Sequence, residues 1–211
     1  MALLLCAAPT AEAASLQVSV LATDGKPLVD AVVVVEPLAP GSTRTPVPVQ
    51  ATIRQERMRF APALTVVPVG SRVRFTNLDS YEHHVRGRPA GAVLLESNPG
   101  GSSFELRVGA ATDGRADVSQ EVVVAEAGPL ELSCHLHSVM RGHIFVAQTP
   151  WVAKTDANGN ATVTDLPEGA AQVRLWHGDQ LLPSVPVAVN LGVTTTLALP
   201  TRVLPRGRSR R

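Results

Sequence analysis

The chain has 211 residues, enough for one large domain or two small ones, and 45% of them are apolar, so it can bury a sizeable core. Its net charge of +1 gives no bias toward nucleic acid or an anionic membrane surface. Aromatic residues make up only 3%, and valine runs such as Val32–Val35, cut by many prolines and glycines, point to an all-β chain of short strands.

In chain order, residues 1–14 read as an export signal peptide. Ala2 to Ala8 are apolar and Ala11-Glu12-Ala13 offers a small-residue cleavage site, although no Lys or Arg precedes the apolar run. The mature protein is therefore expected to be periplasmic or secreted. No later stretch reaches the ~20 apolar residues of a spanning helix, so no membrane span is expected. Of the two cysteines, Cys6 would leave with the signal and Cys134 would remain alone. A lone thiol in an oxidising compartment is a liability unless it is buried or occupied, and metal ligation occupies it.

Residues 15–37 predict two strands around a turn. Leu16, Val18 and Val20 alternate with polar residues, Asp24-Gly25-Lys26-Pro27 makes the turn, and Ala31 to Glu36 resumes the strand. Pro40 to Pro48 reads as a linker. Residues 50–148 form a second β region, with strands expected at Val66–Val69, Val73–Thr76, Ser103–Val108, Val122–Ala125, Leu130–Cys134 and His143–Ala147. A third region, 151–200, carries the turn Asp156-Ala157-Asn158-Gly159 and strands at Ala161–Thr164, Gln172–Trp176 and Val193–Leu199. Residues 201–211, with five arginines, read as a basic disordered tail.

Two strands cannot make a stable sandwich alone. Residues 15–37 are therefore expected to join residues 151–200 in one discontinuous domain, with residues 50–148 inserted between them. The stretches Asp24–Val33 and Lys154–Trp176 resemble carboxypeptidase-regulatory-like modules, which implies a transthyretin-like β-sandwich. That resemblance speaks to fold and hardly to chemistry.

The chemistry concentrates in Cys134-His135-Leu136-His137-Ser138-Val139-Met140, a C-x-x-H-x-x-M pattern at the end of a predicted strand. A tight loop there can aim thiolate, imidazole and thioether at one point. About fifty residues upstream lies Tyr81-Glu82-His83-His84-Val85, after the turn-like Asn77-Leu78-Asp79. One histidine from that segment completes a His₂Cys set with a weak axial Met, the ligand set of a blue-copper electron-transfer site.

Residues from about Ala51 to Val146 resemble a plastocyanin/azurin-type cupredoxin. Pro62–Val85 is similar to the family's strand, turn and first-ligand segment. The resemblance implies a Greek-key β-sandwich and one type 1 copper ion held by His83, Cys134, His137 and Met140, with His84 in the place of the family's Asn. Strand alternation agrees, since His83 shares a face with apolar Val85 and His84 with Arg86. The whole layout is similar to bacterial cupredoxins of the methylamine-utilisation type, which implies an electron-transfer setting and a redox partner protein. The His–Met interval is shorter than in plant plastocyanin. His135 follows the thiolate as in multidomain copper oxidases, but no second cluster of His-x-His pairs accompanies it, and His143 and His177 read as structural or surface residues.

No phosphate loop, dinucleotide fingerprint or zinc-finger spacing is present. The expected function is a one-electron carrier and not an enzyme. Copper storage or delivery is the alternative, and a structural β module with a vestigial site is a third.

Overall fold

A computed structural model describes residues 13–90, 103–112, 118–180 and 184–203, and among them every helix or strand element is a β-strand. The chain opens with β1 (Ala14–Leu21) and β2 (Val32–Pro37). Its middle supplies β3 (Gln50–Glu56), β4 (Arg59–Ala61), β5 (Leu64–Pro68), β6 (Ser71–Asn77), β7 (His83–Pro89), β8 (Phe104–Val108), β9 (Val118–Val124), β10 (Gly128–Cys134) and β11 (Arg141–Ala147). It closes with β12 (Val152–Lys154), β13 (Asn160–Leu166), β14 (Gly169–Trp176), β15 (Val187–Leu191) and β16 (Thr194–Pro200).

The middle strands form two sheets, ordered β5-β11-β10-β7-β8 and β4-β3-β6-β9. The chain crosses between them from β4 to β5, β5 to β6, β6 to β7, β8 to β9 and β9 to β10, which is a Greek-key sandwich. Each strand turns alternate side chains inward, and Ile53, Val73, Phe75, Val85, Leu132, Ile144 and Val146 fill the shared core. The flanking strands form sheets ordered β13-β1-β16 and β12-β2-β14-β15. These two sheets share a separate core built on Leu16, Val18, Val33, Val35, Trp151, Val163 and Val173. Strands from before the middle sandwich and from after it thus lie in the same two sheets. The first strand, β1, runs between β13 and β16 and pairs parallel with β16 from Ser15↔Thr194 to Leu21↔Pro200.

The two sandwiches meet along β11. Ile144 and Val146 point into the Greek-key core, while His143 and Phe145 pack against Trp176 of β14 with ring centroids 5.3 and 5.6 Å apart. At the crossing, Val35 N donates to Trp151 O at 2.9 Å, so the chain leaves and re-enters the flanking sheets side by side. The Trp151 ring is buried and its Nε1–H donates to Asp165 O at 2.8 Å, which satisfies the indole's one donor.

Two boundaries differ from the sequence reading. Ala14, which the sequence reading placed in the export signal, lies in β1, where it is buried and faces Leu166; residues 1–12, including Cys6, lie outside the described residues. The basic tail does not begin at Thr201. Thr201 N donates to Leu21 O at 2.8 Å, Thr23 N donates to Val203 O at 3.1 Å, and Val203 is buried in the flanking core. The remaining residues of that tail, 204–211, lie outside the described residues.

Gly159 closes the predicted turn with φ 74°, and a Cβ there would sit 2.7 Å from Val20 O. Gly159→Ala is expected to destabilise the chain by more than about 1 kcal/mol, measured by denaturant unfolding. Deleting residues 14–37 removes a central strand from each flanking sheet. Residues 152–200 are then expected to lose amide protection in hydrogen exchange, and unchanged protection would show that these sheets stand without β1 and β2.

Candidate metal centre

Three sequence-distant segments converge at one end of the Greek-key sandwich. His83 is the first residue of β7 and Cys134 the last of β10, and these strands pair antiparallel with Cys134 opposite Val85. The connection from β10 to β11 carries His137 and Met140. It is tightened by Met140 N donating to His137 O at 3.0 Å and tied to β7 by His135 N donating to His84 O at 2.9 Å. His83 and Met140 are fully buried, Cys134 nearly so, and His137 is partly exposed.

Cys134 Sγ lies 3.8 Å from His83 Nδ1 and 3.6 Å from His137 Nδ1, and the three atoms fall within 4.8 Å of one another. A metal bound at roughly 2.3 Å to sulfur and 2.0 Å to nitrogen, with an angle near 110–120°, puts its ligand atoms about 3.5–3.7 Å apart. Both sulfur–nitrogen distances are therefore close to what one shared ion needs. Two imidazoles and a thiolate, with the buried thioether of Met140 carried by the same loop, fit a type 1 copper site.

The electrostatics of His83 fit as well. Its Nε2 lies 2.9 Å from Asp79 Oδ2. An ionised carboxylate only accepts, so the hydrogen sits on Nε2 and the Nδ1 lone pair is left for a metal. Burial pushes the Asp79 carboxyl up. Hydrogen bonds from His83, Arg57 N and Met58 N outweigh that and hold it below the ordinary carboxylate range. The Tyr81 ring packs on both imidazoles, 5.3 Å from His83 and 5.2 Å from His137. Desolvation, then the charge and hydrogen bonding of Asp79, raise its phenol above the usual range, so it stays a protonated, neutral cover over the ligands.

The structure thus brings together His83, Cys134 and His137, with Met140 buried beside them in the core. His84 turns to the opposite face of β7, where its Nε2 lies 3.4 Å from Glu105 and its ring packs edge-on against His135 at 5.6 Å. His143 packs on Trp176, and His177 Nε2 sits 3.2 Å from Val29 O, both away from the centre. Asp79 and Tyr81 were not read from the sequence as parts of the site. The available signal was an acidic side chain four residues before the ligand histidine, in a turn that brings it back onto the ring.

No family model matches the chain, and no curated protein matches it. Solved structures match about half of the chain. Amicyanin from Paracoccus versutus is 19% identical over 52% of this chain and 86% of its own, with a TM-score of 0.36. A purple cupredoxin from Nitrosopumilus maritimus is 22% identical over 46% of this chain and 99% of its own, with a TM-score of 0.32. A copper-containing nitrite reductase from Thermus scotoductus is 20% identical over 53% of this chain and 25% of its own, with a TM-score of 0.36. At these scores the assignment of the centre rests on the donor geometry above.

His83→Ala is expected to weaken Cu(II) binding by more than the roughly 10–100-fold typical of losing an outer-shell partner. His84→Ala is expected to leave it near wild type. Calorimetric titration of the metal-free protein compares the two, and the reverse order would assign the ligand to His84.

Proposed function

We propose that the chain is an exported, periplasmic or secreted, type 1 copper protein that carries single electrons and has no substrate chemistry of its own. The observation that carries this reading is Cys134 Sγ standing 3.8 Å from His83 Nδ1 and 3.6 Å from His137 Nδ1, close to the spacing of a thiolate and two imidazoles around one ion. When bound, copper supplies one-electron cycling between Cu(I) and Cu(II). Cys134 would hold it as thiolate, His83 and His137 through Nδ1, and Met140 as the weak fourth donor.

The surroundings favour electron transfer over catalysis. His83, Cys134 and Met140 are closed off from solvent, which leaves little room for a substrate to reach the centre. His137 is the partly exposed ligand. Around it stand Leu136, Val139 and Tyr81, which are 51%, 72% and 37% exposed. An apolar rim around a single solvent-facing ligand suits brief docking of a redox partner protein, because weak apolar contact allows rapid release. The scaffold holds the ligands on strand ends and on a short closed loop, so the change of oxidation state meets a frame that resists rearrangement. Among the described residues the one thiol, Cys134, is buried, which an oxidising compartment tolerates, in keeping with export. Among the described residues, no helix is long and apolar enough to cross a membrane.

Copper delivery is the competing use of such a centre, and it calls for an exchangeable Cu(I) site with several sulfur ligands. Beyond Met140, the thioether among the described residues is Met58, on the β3–β4 turn.

Titration of the metal-free protein with Cu(II) is expected to stop at one equivalent and to give an intense visible thiolate-to-copper band that Cys134→Ser abolishes. Voltammetry is expected to be reversible, with slow loss of Cu(I) to a competing chelator. A colourless, fully loaded wild type would falsify the type 1 assignment; rapid Cu(I) loss with sluggish electron exchange would turn the reading to copper delivery.

A further inference from the structure

The turn between β3 and β4 consists of Arg57 and Met58, both in the left-handed region at φ 53° and 56°. Two-residue hairpin turns of this form ordinarily use Asn-Gly, because residues with larger side chains are strained there. The strained turn has a target. Arg57 N donates to Asp79 Oδ1 at 2.6 Å and Met58 N to Asp79 Oδ2 at 3.2 Å. From the other side Asp79 N donates to Asn77 Oδ1 at 2.8 Å, and Asn77 Nδ2 donates to Tyr81 O and Gly109 O, each at 2.7 Å. Asp79 is 8% exposed, and the ring it meets, His83, is 0% exposed. A chain of hydrogen bonds therefore runs from the β3–β4 turn, through one carboxylate, to the buried imidazole.

We propose that Asp79, seated by the Arg57–Met58 turn, is a positioning residue that fixes the tautomer and orientation of His83 and tunes the redox preference of the centre toward its oxidised form. This rests on the copper reading above. The physical basis is that a full negative charge against Nε2–H, out of water, draws the proton and makes Nδ1 a stronger donor. A stronger donor stabilises Cu(II) over Cu(I). The backbone N–H groups of the turn keep the carboxylate from swinging away, which a side chain on a free loop would do. An aspartate that served only to anchor the turn would affect stability and leave the redox preference alone.

The test uses the full chain, metal-free and copper-loaded. In the metal-free protein, ¹⁵N NMR of the histidines is expected to show His83 as the Nε2–H tautomer; an Nδ1–H tautomer overturns the proposal. In the loaded protein, Asp79→Asn is expected to keep one copper and its visible band. Its preference is expected to move toward Cu(I) by about tenfold, a rise of about 59 mV. Asp79→Glu, which keeps the charge, is expected to restore the wild-type potential. An unchanged potential in a folded Asp79→Asn variant overturns the tuning role. If Asp79→Asn does not fold, the tautomer in the wild type and the potential of Asp79→Glu decide, the latter overturning the proposal if it rises like a neutral substitution. A wild type that takes up no copper defeats the copper reading separately, because the tautomer measurement needs no metal.

Discussion

Cys134 stands opposite Val85 in the antiparallel ladder of β7 and β10, and His83 lies two residues before Val85 on the same face. Side chains alternate along a strand, so a slip of one residue would send His83 out to solvent and bring His84 in. The register is locked by what else shares the face. Val85, Leu132 and Cys134 are buried together, while His84, Arg86 and Ser133 look outward. Burial of apolar side chains, which is non-directional, is thereby converted into the placement of a particular ring nitrogen near a particular sulfur. The loop donors add to a position that the ladder has already set.

Much of this was legible before the structure. Alternation of Leu16, Val18 and Val20 marked β1, and the C-x-x-H-x-x-M pattern marked the loop. Alternation around Val85 separated His83 from His84. The parts that escaped share a cause, which is that their partners are remote or their inward residues are few. Among the inward positions of β3, Ile53 and the amide Gln55 are both fully buried, so its apolar period is broken. The strand β4 has three residues, and β12 has three, too short to show a period. Asp79 was legible as a turn residue and not as a partner of His83. The four-residue spacing allows a carboxylate to reach the ring but does not hold it there; that takes the β3–β4 turn, which lies more than twenty residues upstream and approaches only in the folded sheets.

The second sandwich contributes no residue to the donor set, yet it touches the strand that follows the ligand loop. The strand β11 begins directly after Met140, and its outward residues His143 and Phe145 are covered by Trp176. One face of β11 is thus packed by the Greek-key core and the other by the flanking module. Large aromatic contacts of this kind are worth about 0.5–1.5 kcal/mol each beyond area burial. They restrain the strand into which the ligand loop runs.

The pairing of Ser15 with Thr194 has a consequence for how the chain acquires its shape. The strand β1 cannot find its parallel neighbour until the chain has been made through β16, and contacts of such high order are slow to form. The inserted sandwich shortens that search. Once folded, it delivers its two ends next to each other, as Val35 and Trp151 show, and the entropy of closing the long loop has then been met inside the insert. By topology, the inserted sandwich can close on its own contacts, while the β1–β16 pairing needs strands from both sides of it. A chain with this topology keeps β1 waiting for β16, and the flanking sheets are the last part to close.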